Sequence, residues 1–357
     1  MKLIDKYILK KFLSAFVFTM LILMAVIVVI DITEKLDKFG RSDATTWEII
    51  GYYMDFIPWI ANMITPIITF IATVFITAQM AGRTEIIAIL SSGISFRRMM
   101  VPYLIGASCI ALTTFILSGW VIPNSNKSRT AFEMEYLGKE ESGSLSNIHL
   151  QTRPDTYLYI RTYNNNSDMG FDFSLEKVEG TEMVGKLTAN RMTWIEDGQH
   201  WKLMSWKYRS IDSLKESITE GREMDTVLNI VPADFENIYR AYDAMTFREL
   251  NDHIEKLVSR GASGVQIYLV EKYTRYSAPF AVLILTFMGV IVSSRKTRGG
   301  AGLKIAIGFI LSFLFIVLCL FGKTQAEAGS MDPAFSVWIP NIIFAGISIV
   351  MYKYLPR

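Results

Sequence analysis

The chain is poor in the side chains on which metal and redox chemistry rests. Its 357 residues include two cysteines and three histidines. Cys109 and Cys319 each fall inside an apolar run, which reads as small buried hydrophobes rather than a disulfide or a metal pair. His149, His200 and His253 are scattered without metal-ligand spacing. Nothing marks a Ser-His-Asp set or an HExxH helix, and no carboxylates pair up inside an apolar run. Gly322-Lys323-Thr324 looks like the end of a phosphate-binding loop, but the earlier glycine of that motif would fall at position 317, which is Val317. A net charge of +2 gives no global attraction for nucleic acid. Charge is also missing from every long apolar run, whereas a proton-coupled transporter needs ionisable groups at membrane depth. These absences predict a chain that is not an enzyme, holds no cofactor or metal of its own and carries no energy source.

What is present in quantity is apolar surface, at 51% hydrophobic residues. Crossing a bilayer as a helix takes roughly 20 such residues. Charge-free windows occur at 12–30, 56–80, 99–122, 276–294, 305–322 and 333–352, three before and three after a long polar middle. The first follows Lys2, Lys6, Lys10 and Lys11 and has no A-x-A cleavage site after it, so it reads as a retained span. Residues 31–55 read as a mixed-charge connection, and Pro66 should kink the second span.

Lysine and arginine in short loops favour the cytoplasm. One face collects the lysine-rich start, Arg83, Arg97, Arg98, Arg295, Lys296, Arg298, Lys353 and Arg357, while residues 323–332 hold a single lysine. Lys35, Lys38 and Arg41 in the other outer connection run against this bias, but the majority places both termini in the cytoplasm and the polar middle outside.

The segment 82–98, GRTEIIAILSSGISFRR, lies between two charge-free runs and so sits at the cytoplasmic face. Ile86, Ile87, Ile89 and Leu90 are too close together for a solvated loop, which predicts a short amphipathic helix with Glu85 on its polar side and Gly93 as its stop. Such a helix is either a docking point for a cytoplasmic partner or a plain interfacial hairpin.

The middle, about 123–260, changes period. Residues 156–163, 170–178, 187–194 and 201–210 are rich in aromatic and β-branched types, with Asp197-Gly198 as a hairpin signal. They predict an all-β sandwich or a curled sheet, with 156–163 and 201–210 as the strands in which to look for an open edge. Thr246-x-x-Glu249 is a capping box; Leu250, Ile254 and Leu257 form one helical face, and Gly261 closes it. A second amphipathic piece, 265–275, runs into the fourth span.

Particular stretches sharpen this reading: Asp5-Lys6-Tyr7-Ile8 at the start, Lys35-Leu36-Asp37-Lys38 after the first span, Arg83-Thr84-Glu85 through Ser92-Gly93-Ile94-Ser95, and Ala244-Met245-Thr246-Phe247-x-x-Leu250 before the fourth. In these and in its order of spans the chain resembles, over essentially its whole length, the LptF/LptG permease family of the lipopolysaccharide export ABC transporter, and more closely the LptG-like member. The resemblance implies an α-helical membrane protein with six transmembrane helices (3+3) and an inserted extracytoplasmic β-jellyroll. The expected division is 1–122 for helices one to three with a coupling helix at 82–98, 123–262 for the periplasmic β domain and its connecting helix, and 263–357 for helices four to six. It further implies a bacterial inner-membrane setting, a paralogous permease subunit, a cytoplasmic ABC ATPase dimer that holds the ATP and magnesium, periplasmic β-jellyroll bridge proteins, and lipopolysaccharide as cargo. On this reading Arg83, Glu85, Gly93 and Ser95 belong to the ATPase-coupling segment, with Glu85 at the position of the family's ATPase-contacting carboxylate.

Lys35, Lys38 and Arg41, spaced three apart beyond the first span, together with Lys127 and Arg129 beyond the third, are candidates to meet phosphorylated lipid headgroups. They are interleaved with Glu34, Asp37 and Asp43, which weakens their field, and pairing along a solvated helix end is the competing reading. At the level of function, the alternative is a membrane-anchored receptor or scaffold that presents the β domain.

Overall fold

The computed structural model describes residues 3–137, 145–153, 155–164, 167–180, 182–212, 215–228, 230–232, 241–259, 264–294 and 300–354. It divides into a helical unit, Met1–Phe132 with Leu269–Arg357, and a second unit, Glu133–Tyr268.

In the helical unit, α1 runs without a break over Leu3–Arg41 and α2 over Thr46–Gly82. The short α3, Glu85–Ser91, leads to α4, Phe96–Ile116, and through one π-helical turn to α5, Ile122–Tyr136. After the second unit come α7, Val265–Ser293, α8, Gly300–Glu327, and α9, Pro333–Lys353. Among the described residues six helices are long and apolar enough to cross a membrane, in agreement with the sequence.

Two boundaries differ from the sequence expectation. Residues 31–55 are not a loop: α1 continues to Arg41 and α2 starts at Thr46, which leaves residues 42–45 as the connection. The cause is local. Thr45 and Glu48 form a reciprocal capping box, with the Thr45 amide donating to Glu48 Oε2 at 2.8 Å and the Glu48 amide to Thr45 Oγ1 at 3.4 Å. The third span also passes Pro123 and stays helical to Tyr136. Pro123 has no amide proton for the carbonyl of Gly119, and the wide turn over Leu117–Val121 absorbs that loss. Likewise α2 carries Pro58 and Pro66 without ending.

Helices in this unit meet through small residues, as expected where lipid removes the hydrophobic drive between them. A Cβ on Gly289 of α7 would stand 3.0 Å from Thr73 and 3.1 Å from Phe70 of α2. A Cβ on Gly322 of α8 would lie 2.6 Å from the Ser336 carbonyl oxygen, and the Ser336 hydroxyl donates back to the Gly322 carbonyl at 2.6 Å. Cys109 is exposed on α4 and Cys319 only partly buried, which corrects the expectation that both are interior: Cys109 shares its helix with the exposed Ile105, Leu112 and Ile116.

Among the described residues the second unit contains six strands: β1 Leu145–Arg153, β2 Thr156–Asn164, β3 Met169–Glu179, β4 Glu182–Ile195, β5 His200–Asp212 and β6 Lys215–Thr226. Each pairs antiparallel with its sequence neighbours, so of the two forms left open the described strands make one meandering sheet. Leu158, Ile160, Phe173, Leu187, Ala189 and Leu203 belong to its buried cluster. Trp201 is fully buried there, and its indole N–H donates to the Ile230 carbonyl at 2.8 Å. The Asp197-Gly198 hairpin is present, closing Trp194 against Trp201. The segments 156–163 and 201–210 are interior strands; among the described strands the edges are β1 and β6. The predicted capping box begins α6, Phe247–Ser259: the Thr246 amide donates to Glu249 Oε2 at 2.8 Å, and Leu250 and Ile254 are buried. Gly261 lies outside the described residues.

Candidate functional site

Two left-handed residues bracket α3: Thr84 at φ 61° and Gly93 at φ 84°. Glycine takes that conformation freely, whereas a β-branched residue pays on the order of 1–3 kcal/mol for it. Arg83 caps the end of α2, and Ser95 caps α4 by accepting from the Arg98 amide at 3.3 Å. Within α3, Ile86 is buried in the same core cluster as Ile8, Phe12, Met99 and Tyr103. Ile89 packs partly against that cluster, while Ile87 and Leu90 stay 48% and 38% exposed. The helix therefore has one apolar side sunk in the bundle and a second apolar edge facing out.

Glu85, the first residue of α3, is not an open carboxylate. Lys11 donates to both of its oxygens, at 3.0 and 3.2 Å, and the Tyr7 hydroxyl donates to Oε2 at 3.0 Å. The Lys11 ammonium also lies 4.4 Å from the Tyr7 ring centroid. At the other end of the segment, Arg98 pairs with the buried Asp5, and Arg97 Nε donates to the Tyr352 hydroxyl at 2.9 Å. Lys304, at the start of α8, is buried and donates to the Ser293 carbonyl at 2.8 Å. One end of the helical unit thus gathers the starts of α1 and α4, all of α3 and the end of α9. Sequence reasoning did not find Tyr7, Lys11 or Asp5 as partners of this segment. Their only signal was the i, i+4 spacing of Tyr7 and Lys11. Arg295, Lys296, Arg298 and Arg357 lie outside the described residues.

The far end of α1 and the helix α5 hold the other predicted cations. Lys35 donates to Asp31 Oδ1 at 2.9 Å and to the Tyr52 hydroxyl, and its ammonium lies 4.9 Å from the Tyr52 ring centroid. The Tyr53 hydroxyl donates to Asp31 Oδ2 at 2.9 Å. Phe39 and Phe132 close this aromatic cluster from α1 and α5, their centroids 6.4 Å apart. Arg129 is buried with its guanidinium 4.2 Å from the Trp59 ring centroid. Lys38, Arg41 and Lys127 are exposed. The five cations therefore split into two packed on aromatic rings and three that face outward.

The family model described as lipopolysaccharide export system permease LptF/LptG matches residues 6–354. The chain belongs to that family. It is 19% identical over 357 residues to the lipopolysaccharide export system permease protein LptG of Haemophilus influenzae, covering 99% of this chain and 97% of that protein. It is 18% identical over 350 residues to the Escherichia coli K12 protein of the same name, covering 97% of this chain and 96% of the relative. The similarity runs end to end, and so covers both the six spans and the inserted sheet of this chain.

Proposed function

We propose that the chain is an LptG-like, non-catalytic permease subunit of an ABC transporter that extracts lipopolysaccharide from the bacterial inner membrane and passes it to a periplasmic bridge. The observation that carries this reading, beside family membership, is α3. It is fixed from behind by Ile86 and Glu85 and offers Ile87 and Leu90 outward between two membrane spans. A short helix presenting an apolar edge suits insertion into a groove on a partner. In this reading the segment from Arg83 through Glu85 and Gly93 to Ser95 docks a separate ATPase dimer, which holds the ATP and magnesium. Both termini are then cytoplasmic and the β domain periplasmic. The cations at one end, Lys6, Lys10, Lys11, Arg83, Arg97, Arg98 and Lys353, support that orientation.

The division of labour follows from energetics. Each methylene drawn from bilayer into water costs about 0.8 kcal/mol, so a lipid with several acyl chains needs continuous apolar shelter. A cavity formed with a paralogous permease would supply it in the membrane, and the β domain would continue it toward the bridge. The exposed Lys38, Arg41 and Lys127 are assigned to the headgroup phosphates. Lys35, neutralised by Asp31, and Arg129, laid over Trp59, contribute to the field behind them rather than to direct contact. Affinity purification in mild detergent, with mass spectrometry of protein and lipid, tests the assignment. Recovery of an ABC ATPase, a second permease and lipopolysaccharide is expected; recovery of the β domain's partners alone would favour a receptor or scaffold.

A further inference from the structure

The contacts of Glu85 reach beyond docking. They join α3 to the same helix that carries Lys38 and Arg41 at its far end. Two features make that helix a suitable connecting rod. First, α1 has no proline and its only glycine is Gly40, so nothing interrupts its hydrogen bonds between Lys11 and Lys38. Those 27 positions correspond to about 40 Å at roughly 1.5 Å per residue. Second, its central membrane portion is largely uncovered by the rest of the chain: Val17, Phe18, Leu21, Val29 and Ile30 are all exposed. The helix is fastened near its ends instead. At the start, Ile8 and Phe12 are fully buried, Asp5 pairs with Arg98, and Tyr7 and Lys11 hold Glu85. Near the other end, Asp31 and Lys35 meet Tyr53 and Tyr52 of α2. A rod held at its ends and loose in its middle carries displacement from one fastening toward the other.

We propose that Tyr7 and Lys11 are positioning residues that pass movement of α3 into α1 through Glu85, and thereby move the headgroup-facing cations at the outer end of α1. The inference rests on the transporter reading above. Glu85 is then the point at which α3 is latched to the rod, and its remaining exposed edge faces the partner. The latch suits that role better than a buried core contact would. Its charges are about a quarter exposed, so they are held by geometry yet able to shift without a large desolvation penalty.

The test uses the intact complex reconstituted in vesicles, with the double variant Lys11→Met with Tyr7→Phe and the single variant Lys11→Arg. Three quantities are read: co-purification of the ATPase, ATP hydrolysis, and ATP-driven release of lipopolysaccharide. The double variant keeps the side-chain bulk and removes both donors to Glu85. It should retain the ATPase and its hydrolysis rate while release falls about tenfold or more, the scale set by losing a coupled polar pair. Lys11→Arg, which preserves a donor to the carboxylate, should restore release to near the parental rate. Amide hydrogen exchange over residues 86–91 reads the latch without any transport, and exchange in the double variant should be faster. Unchanged exchange and parental release in the double variant would overturn the proposal, as would loss of the ATPase together with release, which would make the pair part of the docking surface. If the parental complex bound ATPase yet released no lipid, the transporter reading would fail, while the exchange result would still decide whether the latch exists.

Discussion

Gly322 and Glu85 show how differently single residues carry this molecule. A methyl group at 322 has no room, because it would meet the backbone oxygen of Ser336 rather than a side chain that can turn away. Gly322→Ala should therefore force α8 and α9 apart and destabilise the protein by about 1–3 kcal/mol, read as a lower midpoint of heat-induced unfolding in detergent. Glu85→Lys works through charge. It faces Lys11 with a second cation and reverses the sign presented to a partner, so insertion and folding should persist while ATP-driven lipid release drops about tenfold or more. Parental release from that variant would remove Glu85 from the coupling route. At the far end of α1 and on α5 the residues to reverse are the exposed ones. Changing Lys38, Arg41 and Lys127 to Glu should weaken lipopolysaccharide crosslinking while ATPase binding persists, since each charge-assisted contact contributes roughly 1.5–3 kcal/mol when partly desolvated. Raised salt should imitate the effect in part on the parental protein. Crosslinking at the parental level would mark the three as ordinary surface charge.

Among the elements, β6 has the clearest unpaired side. It pairs with β5 and, among the described strands, with no other, and Ser217, Ile218 and Thr219 are exposed. An edge strand of this kind can accept a partner strand by main-chain hydrogen bonding. A photo-crosslinker at 217 or 219 should capture a periplasmic bridge protein, whereas positions on the interior β4 should capture none; no adduct anywhere along β6 or β1 would exclude strand addition. This edge was not legible in the sequence. Strands β2 to β5 announce themselves by aromatic and β-branched residues that alternate into the core. KESITEGREMDT does not alternate in that way, because it is held to β5 by cross-strand charge: Lys202 with Glu223 at 2.8 Å, and Arg209 with Glu216. The helices divide in the same manner. Charge-free runs located all six spans, but the ends of α1, α2 and α4–α5 were set too short. What extends them is specific: the Thr45–Glu48 box, which was readable, and the π turn before Pro123, which was not. The short α3 with its stop at Gly93 was visible from spacing alone. Its partners on α1 were not, since 74 positions separate Lys11 from Glu85 and only the fold brings them together.

For the molecule as a whole, the proposed coupling is mechanical. On the proposed reading, the subunit accepts motion at α3 from a separate ATPase, carries it along α1 and changes how exposed cations meet a phosphorylated lipid. The two ends of that path lie at opposite ends of one uninterrupted helix, Leu3–Arg41, which in this proposal would tie ATP use at one membrane face to lipid handling at the other. The most direct measurement is ATP-driven transfer of lipopolysaccharide from vesicles containing the purified chain with its co-purifying permease and ATPase. The account predicts release that requires ATP, stops when Glu85 is reversed, and persists in the conservative Lys11→Arg variant. Release that proceeds equally without ATP, or that ignores Glu85, would contradict it.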